Sequence, residues 1–191
     1  VTVAWLWLRL HRWPTLVAIT VATAAVTLLV GDERVPLPSF ADVRRLGVPL
    51  GHLMPLLLAS AVGLHSRAPT RLFLVTPRPA RPQRAVLACV LVATASVAGV
   101  AGADDAVPRN ILGLSGLALA TAVAAGATRS WTLPLCHAMA CVLFGSRIGP
   151  GGPRWWAFTI APAGDRVAWA VALACGAAGT LLFVVRGPRA E

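Results

Sequence analysis

An all-α, polytopic membrane fold with six transmembrane helices is what this sequence predicts, on three observations. Apolar residues make up 57% of the chain against 13% charged, with a mean hydropathy of +0.74, outside the range of a soluble core. They fall into runs at residues 14–30, 47–65, 85–103, 111–128, 131–146 and 167–185, of the length that crosses the hydrocarbon as helix, the fifth being close to the lower limit. Charges are confined between the runs. One connection, residues 66–84 (SRAPTRLFLVTPRPARPQR), gathers Arg67, Arg71, Arg78, Arg81 and Arg84 without an acid, as a cytoplasmic loop does. The whole chain, 1–191, then forms a single transmembrane domain.

Residues 1–13 interleave Trp5, Trp7 and Trp13 with Arg9 and Arg12, too short and too charged to span; they read as an interfacial helix or as the start of the first span. The first span carries only Thr15, Thr20, Thr23 and Thr27 as polar groups, and each hydroxyl can bond back to its own helix. The connection at 31–45 balances Asp32, Glu33 and Asp42 against Arg34, Arg44 and Arg45, and Pro36 and Pro38 exclude a continuous helix there. The second span is interrupted by Pro49 and Pro55, which neighbouring helices can accommodate. Asp104, Asp105 and Arg109 form a polar turn between the third and fourth spans. Between the fifth and sixth, Gly and Pro mix with Trp155, Trp156, Phe158 and Ile160, a composition that suits a re-entrant or interfacial segment.

Arginine counts orient the chain. With the amino terminus inside, the inner face holds Arg9, Arg12, the loop arginines, Arg129, Arg186 and Arg189 against Glu191 alone. The outer face carries Arg34, Arg44, Arg45, Arg109, Arg147, Arg154 and Arg166 among six acids. The bias places both termini in the cytoplasm. Gly116, Ala120 and Ala124 on the fourth helix, and Ala172 and Gly176 on the sixth, have the spacing of small residues that lets helices approach, within the chain or between copies.

Several chemistries are disfavoured. The net charge of +10 is scattered between apolar runs, so anionic lipid explains it better than nucleic acid. Cys89, Cys136, Cys141 and Cys175 lie in apolar runs and behave as small hydrophobes. His52 and His65 have the spacing of haem-ligating pairs, but a partner helix offers only His137, which leaves interhelix hydrogen bonding as the stronger reading. No metal cluster is apparent, and no acid lies within a span, as ion-coupled transport requires. All seventeen basic residues are Arg; without Lys there is no Walker A loop and no Schiff base. No catalytic residue or cofactor is expected in this chain.

The layout as a whole, with the strings TPRPARPQRA, PRNILGLSGLAL and PRWWAF, resembles the type-2 ATP-binding-cassette permeases, in the small form found in G+C-rich bacteria. That resemblance implies a permease subunit in the bacterial inner membrane, exporting an amphipathic small molecule or peptide, as in antibiotic resistance. It implies a separate ATPase subunit carrying ATP and Mg, and a second copy or sister permease. It implies a coupling segment made by Arg67, Thr70, Arg71, Leu72, Phe73, Leu74, Val75, Arg78, Arg81 and Arg84. It also implies an outer cap including Ile148, Pro153, Trp155, Trp156, Phe158 and Ile160. The alternative is a non-transport accessory or immunity protein that sequesters a toxic molecule.

Overall fold

In the computed structural model the described residues are 12–37, 40, 46–67, 80–101, 104–146 and 152–189. They are mostly helical. The helices are α1 (Trp13–Val30), α2 (Leu50–Leu53), α3 (Pro55–His65), α4 (Ala80–Ala101), α5 (Ala106–Ala125), α6 (Thr132–Phe144) and α7 (Arg166–Arg186). One-turn 3-10 segments lie at Ala127–Arg129 and Phe158–Ile160, and two strands, β1 (Arg34–Leu37) and β2 (Leu46–Pro49), form an antiparallel ribbon. Four helices, those containing Trp13–Val30, Arg81–Gly99, Ala106–Ala125 and Arg166–Arg186, are long and apolar enough to cross a membrane.

The other two expected spans are shorter. The second is split at Met54 into helices of 4 and 11 residues, because Pro55 has no N–H to give the preceding turn. α6 has 13 residues, about 20 Å of helix at 1.5 Å per residue.

Several boundaries differ from expectation. Residues 47–49 belong to the ribbon, with Arg34 opposite Pro49 and Val35 opposite Val48, so the helical chain starts at Leu50. Both strands are edges, where proline costs no ladder bond on its open side; the ribbon was not legible as anything but loop. α4 starts at Ala80, five residues early, and so takes in Arg81 and Arg84; Pro82 falls in its first turn, where a missing N–H is harmless. α5 starts at Ala106, and Arg109 is therefore a helical residue and not part of a turn. It ends at Gly126, whose φ of 94° no helix continues through, rather than at 128.

α5 is the central element. Of its hydrophobic window 72% is buried, against 17% for α1 and 22% for α7, so the other helices are arranged around it. It packs most extensively on α7 and then on α3. At the α5–α7 crossing the backbones touch: a Cβ on Gly116 would collide with the Cys175 carbonyl, and one on Gly179 with the Gly116 carbonyl. Gly116, Ala172 and Gly176 thus lie inside the chain's own packing, whereas Ala120 is half-buried and Ala124 exposed.

α1 is built with polarity reversed relative to a soluble bundle. On α1 the buried residues are Leu16, Thr20, Thr23 and Thr27, while Val21, Leu28 and Leu29 are exposed. The hydroxyls of Thr20 and Thr27 donate to the carbonyls of Leu16 and Thr23 at 2.9 and 2.8 Å. α7 buries the small Ala168, Ala172 and Gly179 together with Phe183 and exposes Val167, Leu173, Leu181 and Val185.

α1 and α4 run one way and α5 and α7 the other, and the charges separate. One end, the basic end, carries Arg12, Arg67, Arg81, Arg84, Arg129, Arg186 and Arg189 and, among the described residues, no acid. The opposite end carries Asp32, Glu33, Asp104, Asp105 and Asp165 with Arg34, Arg109, Arg154 and Arg166.

The glycine contact is directly testable. Gly116→Leu is expected to cost about 1–3 kcal/mol by overpacking, read as a lowered unfolding midpoint in detergent. Ala177→Leu, on the exposed side of α7, is expected to leave the midpoint within error.

Candidate functional site

The end opposite the basic one is where polar chemistry concentrates, and it is built on the first turn of α5. Asp104 opens that helix: its Oδ1 accepts from the Ala106 N–H at 2.9 Å, and its carbonyl accepts from the Val107 N–H at 3.1 Å. Its other carboxylate oxygen lies 2.7 Å from His52 Nε2 on α2. The imidazole is buried and its Nδ1 has no partner among the described residues. With Nε2 facing a carboxylate, that nitrogen carries the proton and donates.

Arg109 and Asn110 follow one turn later, both fully buried. Arg109 reaches the irregular chain before α7: Nη1 donates to the Pro162 carbonyl at 2.7 Å, and Nη2 to the carbonyls of Phe158 and Ala161 at 2.7 and 2.8 Å. Its Nε donates to Asn110 Oδ1 at 3.1 Å. The Asn110 amide in turn donates to the carbonyls of Thr159 at 2.9 Å and His52 at 3.2 Å. Two neighbouring side chains thereby tie three segments, α2, α5 and residues 158–162, into one network.

The segment those bonds hold is the one whose sequence suggests a cap, of which residues 152–162 are described. Phe158 is buried; its ring stacks on His137 of α6 with centroids 4.5 Å apart, and it fills the space beside Gly113. Trp156 is half-buried and meets His137 edge-on at 6.4 Å, Ile160 is half-buried against Gly145, Pro153 is half-buried, and Trp155 is exposed. Ile148 lies outside the described residues. His137 Nε2 is also 3.3 Å from Cys141 Sγ one turn along. Past the cap, Asp165 closes the α7 amino terminus by accepting from the Val167 and Ala168 N–H groups at 2.9 and 3.1 Å. Phe40, beyond β1, donates its N–H to the Leu143 carbonyl at 3.0 Å and stacks on Phe144.

Of the expected coupling residues, Arg67 follows α3, and Arg81 and Arg84 lie at the start of α4. Thr70, Arg71, Leu72, Phe73, Leu74, Val75 and Arg78 lie outside the described residues. The histidines are dispersed: His52 pairs with Asp104, His65 Nδ1 meets the Ala61 carbonyl at 2.7 Å, and His137 stacks in the cap. Among the described residues no three His, Cys, Asp or Glu side chains group to hold a metal.

Sequence reasoning missed Arg109, Asn110 and the His52–Asp104 pair. The readable signal was an Arg-Asn dipeptide directly before an apolar run. Assigning every charge to a loop hid it, although a charge in a helix of this kind is retained where it has partners.

Electrostatically, burial is the largest single influence on Asp104 and acts to raise it. The Ala106 N–H, the His52 ring and the Arg109 charge together outweigh burial and hold the carboxyl below the ordinary aspartate value of 3.8.

The fold and this site define a class: a mostly helical protein with several helices long and apolar enough to span a membrane, with an irregular segment hydrogen-bonded to the first turn of its central helix. No family model matches the chain, and no curated protein or solved structure matches it either.

Arg109→Met removes the guanidinium donors from the carbonyls of Phe158, Ala161 and Pro162, of which Phe158 and Pro162 keep a backbone N–H from Ala161 and Asp165. It is expected to destabilise by about 3 kcal/mol or more, hydrogen bonds to charged groups being worth about 1.5–3 kcal/mol each. Limited proteolysis is expected to speed up selectively within residues 152–165. Arg109→Lys, with fewer donors and no planar fork, is expected to recover only part of the protection.

For Asp104 the sign follows from a depressed folded-state value. Its contribution is complete above about pH 4 and is lost as pH falls through the folded-state value. The unfolding midpoint of the protein is expected to drop on acidification below about pH 4, the unperturbed aspartate value, with Asp104→Asn flattening that part of the profile. An unchanged profile in the variant would remove Asp104 from the network's pH dependence.

Proposed function

We propose that this chain is the membrane-spanning permease subunit of an ATP-driven exporter of the type-2 ATP-binding-cassette kind, in the inner membrane of a bacterium. The observation that carries this reading is the pairing of a basic end with a cap gripped by the central helix at the other end. A permease needs a cytoplasmic face that receives an ATPase and a closure at its outer exit.

In this reading the basic end is cytoplasmic, by the excess of arginine that marks inner loops, and both termini lie on that side. The four long helices cross fully. α2 with α3, and α6, supply the second and fifth crossings, with flanking turns and local thinning of the bilayer accommodating their shortness. A separate ATPase subunit docks through residues 67–84, and ATP and Mg belong to that partner. A second copy or a sister permease completes the path for an amphipathic small molecule or peptide. Movement at the basic end travels along the glycine-packed α5–α7 pair, and Arg109 and Asn110 deliver it to the cap.

A second reading is favoured by one observation: Arg109 and Asn110 spend their donors on backbone carbonyls of their own chain. That suits an accessory or immunity protein of fixed shape, which needs no moving path.

Co-purification decides between the two. Tagged chain, isolated from its own host with lipid-preserving detergent, is expected to bring down a protein that mass spectrometry identifies as an ATP-binding-cassette ATPase. Deleting residues 72–75 is expected to abolish the association. Absence of such an ATPase, or an association indifferent to the deletion, overturns the permease reading in favour of the accessory one.

A further inference from the structure

We propose that the seam between α4 and α7 at the basic end is a binding site for an anionic phospholipid, whose phosphate is held by Arg84, Arg186 and Arg189. The site does not depend on the permease reading. It requires only that these helices lie in a bilayer.

Arg84 of α4 meets Arg186 and Arg189, at and just beyond the end of α7, where α4, α5 and α7 come together. Arg84 reaches across from α4, and its Nη1 donates to the Val185 carbonyl at 3.4 Å. Its guanidinium lies flat against Gly187, where an added Cβ would stand 2.5 Å from Cζ and 2.7 Å from Nε. Gly187 has a φ of 76°, so the position is doubly closed to a side chain, and the arginine occupies the vacated space. Arg186 ends α7 and is exposed. The chain then folds back on α5: the Arg189 N–H donates to the Ala122 carbonyl at 3.0 Å, and its Nη1 to the Ala124 carbonyl at 3.3 Å.

These contacts leave most of the donors unspent. A guanidinium has five N–H donors; among the described residues Arg84 and Arg189 each use one, at the long end of hydrogen-bonding distance. Among the described residues no acid stands at this end. Helix carboxyl termini favour the cations but do not neutralise them.

The surface next to the arginines says which anion. On α4, Val86 is exposed two residues beyond Arg84; on α7, Leu181 and Val185 are exposed one turn apart. Charge at the helix ends with bare apolar surface adjoining it matches a phosphate ester carrying acyl chains. A net negative headgroup is needed, because a zwitterion brings its own cation into the same cluster. Basic pockets between helices at the cytoplasmic side bind anionic headgroups on this principle.

The test uses the full chain purified in detergent, with phosphatidylglycerol, phosphatidylcholine and inorganic phosphate as probes, read by native mass spectrometry. Phosphatidylglycerol is expected to remain bound at energies that strip phosphatidylcholine. Arg84→Gln with Arg189→Gln is expected to weaken its retention about tenfold or more, each basic residue near an anionic headgroup contributing separately. Arg154→Gln with Arg166→Gln, at the opposite end, is expected to leave retention unchanged. In the unaltered protein, retention is expected to fall with added salt, which supports the site even if the double variant misfolds. Equal retention of the two lipids overturns the proposal, as does unchanged retention in a folded Arg84/Arg189 variant. Displacement of the lipid by millimolar phosphate would reassign the site to free phosphate and overturn the lipid claim.

Discussion

A guanidinium buried one turn into the central helix has donors on every side and nothing to accept with, and the rest of the capped end is arranged around that fact. Residues 158–162 have the complementary deficiency: a single 3-10 turn and its flanks leave carbonyls with few backbone donors, Phe158 and Pro162 having one each. Each alone would be costly away from water, several kcal/mol for the ion and about 1–3 kcal/mol for each open carbonyl. Brought together they satisfy one another, through the bonds from Arg109 to Phe158, Ala161 and Pro162. The rotation of α5 is fixed in consequence. Turning it by one residue would carry Arg109 away from the cap and Asn110 away from His52, so α5 has one orientation in which its first turn is satisfied.

Farther along α5, sterics take over from polarity. Gly116 and Gly179 bring two helix backbones into contact, where dispersion across many atom pairs replaces the hydrophobic driving force that lipid does not supply. The reversed polarity of α1, with threonine inward and leucine and valine outward, follows from the same solvent. In water this pattern would place Leu28 and Leu29 at a penalty; against acyl chains they are in their own phase, and the threonine hydroxyls are satisfied by their own helix.

How much of this was legible follows from which signals are local. Long apolar runs are read from composition over some twenty residues, and the four long helices fall where those runs are. The small-residue spacing on two helices pointed at Gly116, Ala172 and Gly176, all of which face the chain's own interior. The ribbon of Arg34–Leu37 with Leu46–Pro49 was not legible, because its pairing bridges a connection whose composition reads only as loop. The Arg109 network was hidden for a different reason. Its partners are backbone carbonyls 49 to 53 residues away, and backbone acceptors leave no mark in a sequence.

The two ends of the molecule are linked by the same pair of helices, and this bears on any function assigned to it. α5 holds the cap at its amino end and, through the Ala122 and Ala124 carbonyls, anchors Arg189 at its carboxyl end. α7 starts at the cap, capped by Asp165, and ends among the arginines. Because the helices touch through backbone at Gly116 and Gly179, they cannot slide past one another without collision, as closely packed interiors transmit displacement rather than absorb it. Any shift imposed at one end is therefore carried to the other as a rigid-body movement of α5 and α7. The compliant parts lie elsewhere: α1 is largely unburied, and the α2–α3 helix is broken at Met54. A moving device of this build would carry its central pair as one rigid unit against a periphery that gives.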